Sequence, residues 1–191
     1  MVSSHNVRDA IVEDARGIAR VHTRTWQAAY DHIFPTARLA GLVEDHRAEQ
    51  WREWLSSPEE RRHTLVVDVD GEVVGFAHVG PTRDPESNEN LVGELYAVYV
   101  LPEAWGRGIG RSLMFEVLRR LREDGFREAI LWVIEDNPRT RRYYELAGWR
   151  FDGGTKEEAI LDVPVHEVRY RISLVRKPGI RRADSRRADN P

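Results

Sequence analysis

The sequence predicts one mixed α/β domain, a central sheet flanked by helices. Three observations carry this. The apolar period changes along the chain from helical spacing to alternation and back. Asp70-Gly71 lies between two β-branched runs, a strong hairpin signal. A strand that ends at Leu101-Pro102 runs into a cluster of glycines and then a helix, and a further strand, helix and strand follow. At 191 residues the chain fits one domain, and no fixed-period repeat is present.

Val7 to Val12 reads as a short strand. Ala15, Ile18, Ala19, His22, Trp26 and Ala29 then fall at helical spacing. Tyr30-Asp-His-Ile-Phe-Pro35 breaks that helix, and a second is expected from Thr36 to Leu55. Two strands flank Asp70-Gly71, over 64–69 and 72–79, and residues 80–90 read as a loop. Glu94 to Val100 is the next strand. Leu113, Met114, Val117, Leu118 and Leu121 form the buried face of the following helix, with Gly125 as its stop. Ala129 to Ile134 is a continuous apolar strand. Asn137-Pro138 reads as an N-cap with proline at the first helical position, and that helix ends at Gly148. The last strand expected is Glu167 to Leu174, where Val168, Tyr170, Ile172 and Leu174 alternate.

Composition limits the function classes. There is no cysteine, which removes disulfides, thiolate–metal sites and a cysteine nucleophile. No run approaches the ~18 apolar residues of a spanning helix, and no secretory signal opens the chain, so a cytoplasmic location and no membrane partner are expected. The formal charge of −3 conceals an asymmetry. Residues 176–191 carry +4, including the short repeat at 181–189, and residues 1–175 carry −7. We therefore expect a domain over 1–175 and a basic tail over 176–191, read either as a solvated end or as an anion-binding arm. An acidic body argues against nucleic acid as the main partner.

Gly106-Arg-Gly-Ile-Gly110 has the outline of an anion site, since free amides and the dipole at a helix start favour phosphate. Its spacing does not fit a Walker loop, a dinucleotide fingerprint or a kinase glycine loop. A glycine-rich turn without a ligand is the alternative. The surroundings go further. Trp105-Gly-Arg-Gly-Ile-Gly110 resembles the acyl-CoA-binding motif Arg/Gln-x-x-Gly-x-Gly/Ala of the GNAT N-acetyltransferases, and Asn137-Pro-Arg-Thr-Arg-Arg-Tyr-Tyr-Glu-Leu-Ala-Gly-Trp149 is similar to that family's Asn-x-x-Ala-x-x-x-Tyr-x-x-x-Gly-Phe segment. Trp105 and Thr140 depart from the pattern, replacing Arg/Gln and Ala.

The resemblance implies a mostly antiparallel sheet that splays between its fourth and fifth strands. It implies acetyl-CoA as cosubstrate, no metal, and transfer of the acetyl group to a primary amine, on a small molecule or a peptide. Its alternative is a non-catalytic acyl-CoA-binding module on the same fold. A second copy of the chain is left open as a partner. The cofactor site is expected from Val98, Tyr99 and Val100, from Gly106, Arg107, Gly108, Ile109, Gly110 and Arg111, and from Asn137 and Tyr144. The Val98 amide would face the thioester oxygen. Tyr144 is read as the general acid, because a phenol with a pKa near ~10 stays protonated at neutral pH; a core aromatic is the plainer alternative. Glu94 is read as the general base, or else as an ordinary carboxylate at a strand start; Glu135 and His78 are lesser candidates. Trp26, Tyr30, Asp31, Phe34 and Trp51 are expected around the acceptor, with Trp26 and Trp51 favoured as core and Asp31 able to attract a cationic amine. Without a cysteine acyl-enzyme, direct transfer in a ternary complex is the expected route.

Overall fold

A computed structural model describes residues 5–175, so the tail expected at 176–191 lies outside the described residues. Strand β1 is Val7–Asp9. After a short 3-10 turn come α1 (Ala15–Ala29), α2 (Thr36–Ala40) and α3 (Glu44–Ser56). Then follow β2 (His63–Val69), β3 (Glu72–Pro81) and β4 (Val92–Val100). The remainder is α4 (Ile109–Glu123), β5 (Glu128–Ile134), α5 (Pro138–Leu146), β6 (Arg150–Ile160) and β7 (Val163–Ser173).

Among the described residues the sheet has the order β1-β2-β3-β4-β5-β7-β6, antiparallel except for β4 and β5. That parallel pair is short. It joins Val92, Gly93 and Glu94 to Glu128, Ala129 and Ile130 and goes no further. Beyond it β4 stays with β3 as far as Val100, and β5 stays with β7 as far as Ile134, so a wedge opens in mid-sheet. A bulge contributes to the divergence. His78 pairs with Ala97 and Val79 with Leu95, which leaves Tyr96 unpaired and bends the strand.

Helix α4 covers one face, burying Leu113, Met114, Val117 and Leu121, while α1 and α3 cover the other with Ile18, Val21, Ala48 and Trp51. The Asp70-Gly71 hairpin is confirmed, with φ of 54° and 80° at its two central residues.

Three expectations are corrected. The helix expected over 36–55 is two helices, because Gly41 closes α2 and Val43 is extended (φ −92°, ψ 120°) where α3 begins. Strand β6 was not expected. It pairs only with β7, at the sheet edge, and its polar stretch 152–158 shows no apolar alternation. The β6–β7 turn, Leu161-Asp162, has positive φ at both residues (50° and 59°), yet Leu-Asp carries none of the usual asparagine or glycine signal. For the same reason β7 starts at Val163 and not at Glu167.

Candidate active site

The wedge between β4 and β5 opens into a cavity of about 740 Å³. At one end lies the turn Gly106–Arg111, and at the other the last turns of α1 with Trp26 and Tyr30. Backbone geometry explains why β4 presents unpaired groups there. The Leu101 amide donates to Val74 O on β3 at 2.9 Å. Val100 O therefore points the other way, and it accepts from Thr25 Oγ1 (3.0 Å) and Trp105 Nε1 (2.7 Å). In a strand the amide and carbonyl of one residue share a direction, repeated every second residue. The amides of Val100 and Val98 thus face the wedge. Val98, Tyr99 and Val100 all line the cavity.

The glycine turn has the conformation its sequence requires. Gly106 and Gly108 have φ of 78° and 87°, the left-handed region, and Gly108 is the N-cap of α4. A Cβ at either would meet nothing within 4 Å, so the turn is open on its outer side. The start of the 15-residue helix α4 then directs free amides and the positive end of its dipole into the cavity. Replacing Gly108 with valine is therefore expected to act through backbone strain. With valine there the free turn is expected to relax out of the left-handed region, and a phosphate-bearing ligand would have to restore it at about 1–3 kcal/mol, a fall in affinity of roughly tenfold with the fold retained, as titration calorimetry and circular dichroism would show.

Trp105, which stands where a basic or amide side chain was expected, ties the turn to β4 through the bond to Val100 O. Its ring also carries the Arg139 guanidinium at 3.9 Å. Arg139 thereby brings a positive charge to the cavity wall, alongside Arg111. Arg107, by contrast, is exposed and does not line the cavity; its carbonyl accepts from His5 Nε2 at 2.9 Å.

Helix α5 supplies the opposite wall. Asn137 caps it, accepting the Thr140 amide at 3.1 Å. The other end of the same side chain, Nδ2, is buried and has no partner among the described residues, although it lines the cavity. A buried unsatisfied donor is unfavourable alone, and it fits a carbonyl-bearing ligand arm. Tyr143 donates to Gly110 O at 2.7 Å and so joins α5 to the glycine turn. Tyr144 is 7% exposed and lines the cavity. Burial pushes its phenol well above the ordinary range, with Tyr143 and Tyr99 adding to the effect, so it stays protonated.

The acceptor end differs from expectation. Trp26 and Tyr30 line the cavity, with ring centroids 4.8 Å apart. The Trp26 indole N–H is buried without a partner among the described residues. Phe34 packs on Trp26 in a satellite core, and Trp51 belongs to the main core. Asp31 does not reach the cavity. It follows the end of α1, is exposed, and lies 3.6 Å from His32. Glu135 is exposed as well. His78 faces Trp51 and Trp54 on the α3 side.

Glu94 is buried, 2% exposed, but it lines a second cavity of about 520 Å³. Its carboxylate accepts from the Arg83 amide (2.7 Å) and from Arg83 Nε and Nη2 (3.2 and 2.6 Å). The two cavities share Trp132. One acidic residue that sequence reasoning missed does line the main cavity: Glu167 of β7. Its position depends on the pairing of β7 with β5 and β6, which no local pattern reveals.

A model of the GNAT acetyltransferase family matches residues 25–149, from the end of α1 through the glycine turn to Trp149. The chain belongs to the GNAT acetyltransferase family. The GNAT chain is 36% identical over 132 residues to the N-acetyltransferase YuaI of Bacillus subtilis, covering 69% of this chain and 73% of that one. Its fold matches a GNAT-family acetyltransferase structure from Desulfovibrio desulfuricans with a TM-score of 0.67 at 25% identity, covering 89% of this chain and 99% of that one. It also shares the fold of the PaiA N-acetyltransferase of Thermoplasma acidophilum, solved with coenzyme A (TM-score 0.67, 20% identity, 87% and 98% covered). The protein is thus an acetyltransferase with the family's mixed sheet and parallel β4–β5 pair. Among the described residues no helix is long and apolar enough to cross a membrane, and no group of His, Asp or Glu is placed to hold a metal.

Proposed function

We propose that the protein transfers the acetyl group of acetyl-CoA to a primary amine by direct attack, with both substrates bound together in the β4–β5 wedge. The observation that carries this is the single cavity lined by the glycine turn, by Trp26 and Tyr30, and by Tyr144. Acetyl-CoA supplies an acetyl group already activated as a thioester.

The residues divide the work along the cavity. Amides at Gly108, Ile109 and Gly110, with Arg111 and Arg139, hold the pyrophosphate. The pantetheine arm runs beside Val98, Tyr99 and Val100, and Asn137 Nδ2 donates to it from the other wall. The Val98 amide stabilises negative charge as it develops on the thioester oxygen. The amine nitrogen bonds to the carbonyl carbon and the carbon–sulfur bond breaks. The departing thiolate takes the Tyr144 proton, and the amine's proton leaves to a carboxylate. Glu94 is the proposed base. Because Arg83 holds its carboxylate in the second cavity, it acts through water at the shared Trp132 wall. The proton it takes reaches Tyr144 again through solvent after the products leave.

The test is release of free thiol from acetyl-CoA that depends on an added amine. Coenzyme A binding without any such release would support a non-catalytic module and overturn this reading.

A further inference from the structure

We propose that Glu167 anchors the acceptor as its ammonium ion, which releases one proton to solvent before its nitrogen attacks, and that the acceptor class is therefore a primary amine on an apolar body with no carboxylate next to the nitrogen. This rests on the acyl-transfer reading and goes beyond it by naming the second substrate's chemistry.

Glu167 is the sole acid among the residues that line the cavity, and its side chain is only 13% exposed. It lies on the α1 side of the sheet. Val168 and Tyr170, its neighbours in the alternation of β7, are buried in the main core, and Tyr170 bonds to Glu145 just after Tyr144 on α5. The cations of the lining, Arg111 and Arg139, come from α4 and α5, on the cofactor side. The cavity thus has a positive end for phosphates and one negative group on the acceptor face.

The carboxylate is half engaged. Oε2 pairs with Lys156 Nζ at 3.1 Å. Among the described residues Oε1 accepts no hydrogen bond. Lys156 is also shared with Glu158 at 3.3 Å and stands over the Trp132 ring at 4.7 Å. An ammonium held between a carboxylate and an aromatic face is thus already built once here, by the protein's own lysine. The free oxygen offers a second such place to a ligand entering from the cavity.

The walls suit an organic cation. Trp26 and Tyr30 present aromatic faces beside Ile134 and Ile160, and Phe34 packs behind Trp26 with centroids at 5.7 Å. Aromatic faces attract ammonium groups most when water is excluded. An α-amino acid would bring its own carboxylate against Glu167, and like charges at that range repel.

The test is titration calorimetry on the full chain with saturating coenzyme A, using 2-phenylethylamine, hexylamine and phenylalanine as probes. For the wild type we expect both amines to bind at least about tenfold tighter than phenylalanine. Glu167→Gln should weaken both amines by about tenfold or more while the coenzyme A affinity is unchanged. Lys156→Gln, which frees the carboxylate, should tighten them. In turnover, Glu167→Gln should raise KM for the amine and leave KM for acetyl-CoA unaltered. Amine binding insensitive to Glu167→Gln, equal binding of phenylalanine, or no binding of either amine beside tightly bound coenzyme A would each overturn the anchor. Failure of coenzyme A itself to bind would overturn the acyl-transfer reading beneath it.

Discussion

Replacing Tyr144 with phenylalanine should reduce kcat by about 10²–10³ while leaving KM for acetyl-CoA close to its original value. The side chain sits at the end of α5 against Trp149 and Tyr170, with ring centroids 6.3 and 6.5 Å away, so phenylalanine fills the same space. The hydroxyl group makes no hydrogen bond within the described protein, and folding loses little when it goes. What disappears is a proton held ready by burial, with the Tyr143 and Tyr99 phenols nearby. The loss should depend on the leaving group. A thioester with a more acidic thiol needs less help in departing, so the ratio of wild-type to variant rates should shrink with such a donor. A ratio that is the same for every donor, or a variant as fast as wild type, would remove Tyr144 from the acid role.

The second large effect is on stability. The protein should lose several kcal/mol of unfolding free energy between pH 7 and pH 5. Two histidines are responsible. Burial first, and then Arg47, pulls the His22 pKa down to about 3. Burial, then Arg62 and Arg83, pulls His78 down to about 4. Arg47 Nη1 lies 3.1 Å from His22 Nδ1 and can donate only to a ring nitrogen that carries no proton. Both side chains thus fold neutral. In the unfolded chain they titrate near pH ~6.5. Stability is fully present above that value and falls as acid protonates the unfolded state first, through about pH 4 for His78 and about pH 3 for His22. Over pH 7 to 5 each contributes about 2 kcal/mol of that loss. Asp14, which burial raises but Arg8 and the Ile11 amide pull lower on balance, loses its contribution only below the usual carboxylate range, outside this window. Urea midpoints should therefore drop from pH 7 to pH 5, and His78→Phe should flatten part of the drop. A midpoint constant over that interval would contradict the buried neutral histidines.

The parts of the site that lie within short stretches of chain were legible in the sequence. Gly106 and Gly108 have positive φ, Asn137 caps α5, and Tyr144 lies about two turns further on, facing the same cavity. Each of these is decided by local backbone chemistry. What was not legible depends on distant pairing. Glu94 was placed on the right strand, but its engagement by Arg83 depends on how the 80–90 segment folds back over β4. Asp31 carries the charge to attract a cation, but the end of α1 turns it to solvent. Glu167 was read only as the start of a strand. It became a cavity residue because the edge hairpin β6–β7, with its Leu161-Asp162 turn, sets it beside Ile134 and Lys156. Trp105 looked like a weakened motif position. It is a brace, and Arg139 restores the charge from another helix.

The central claim is that one wedge holds thioester and amine together. It is tested most directly by the initial rate of thiol release from acetyl-CoA, measured while both acetyl-CoA and an amine acceptor are varied. Double-reciprocal lines that intersect are predicted, because both substrates must be bound before the acetyl group moves. Parallel lines, the signature of an acetylated enzyme, or thiol release that ignores the amine would contradict it.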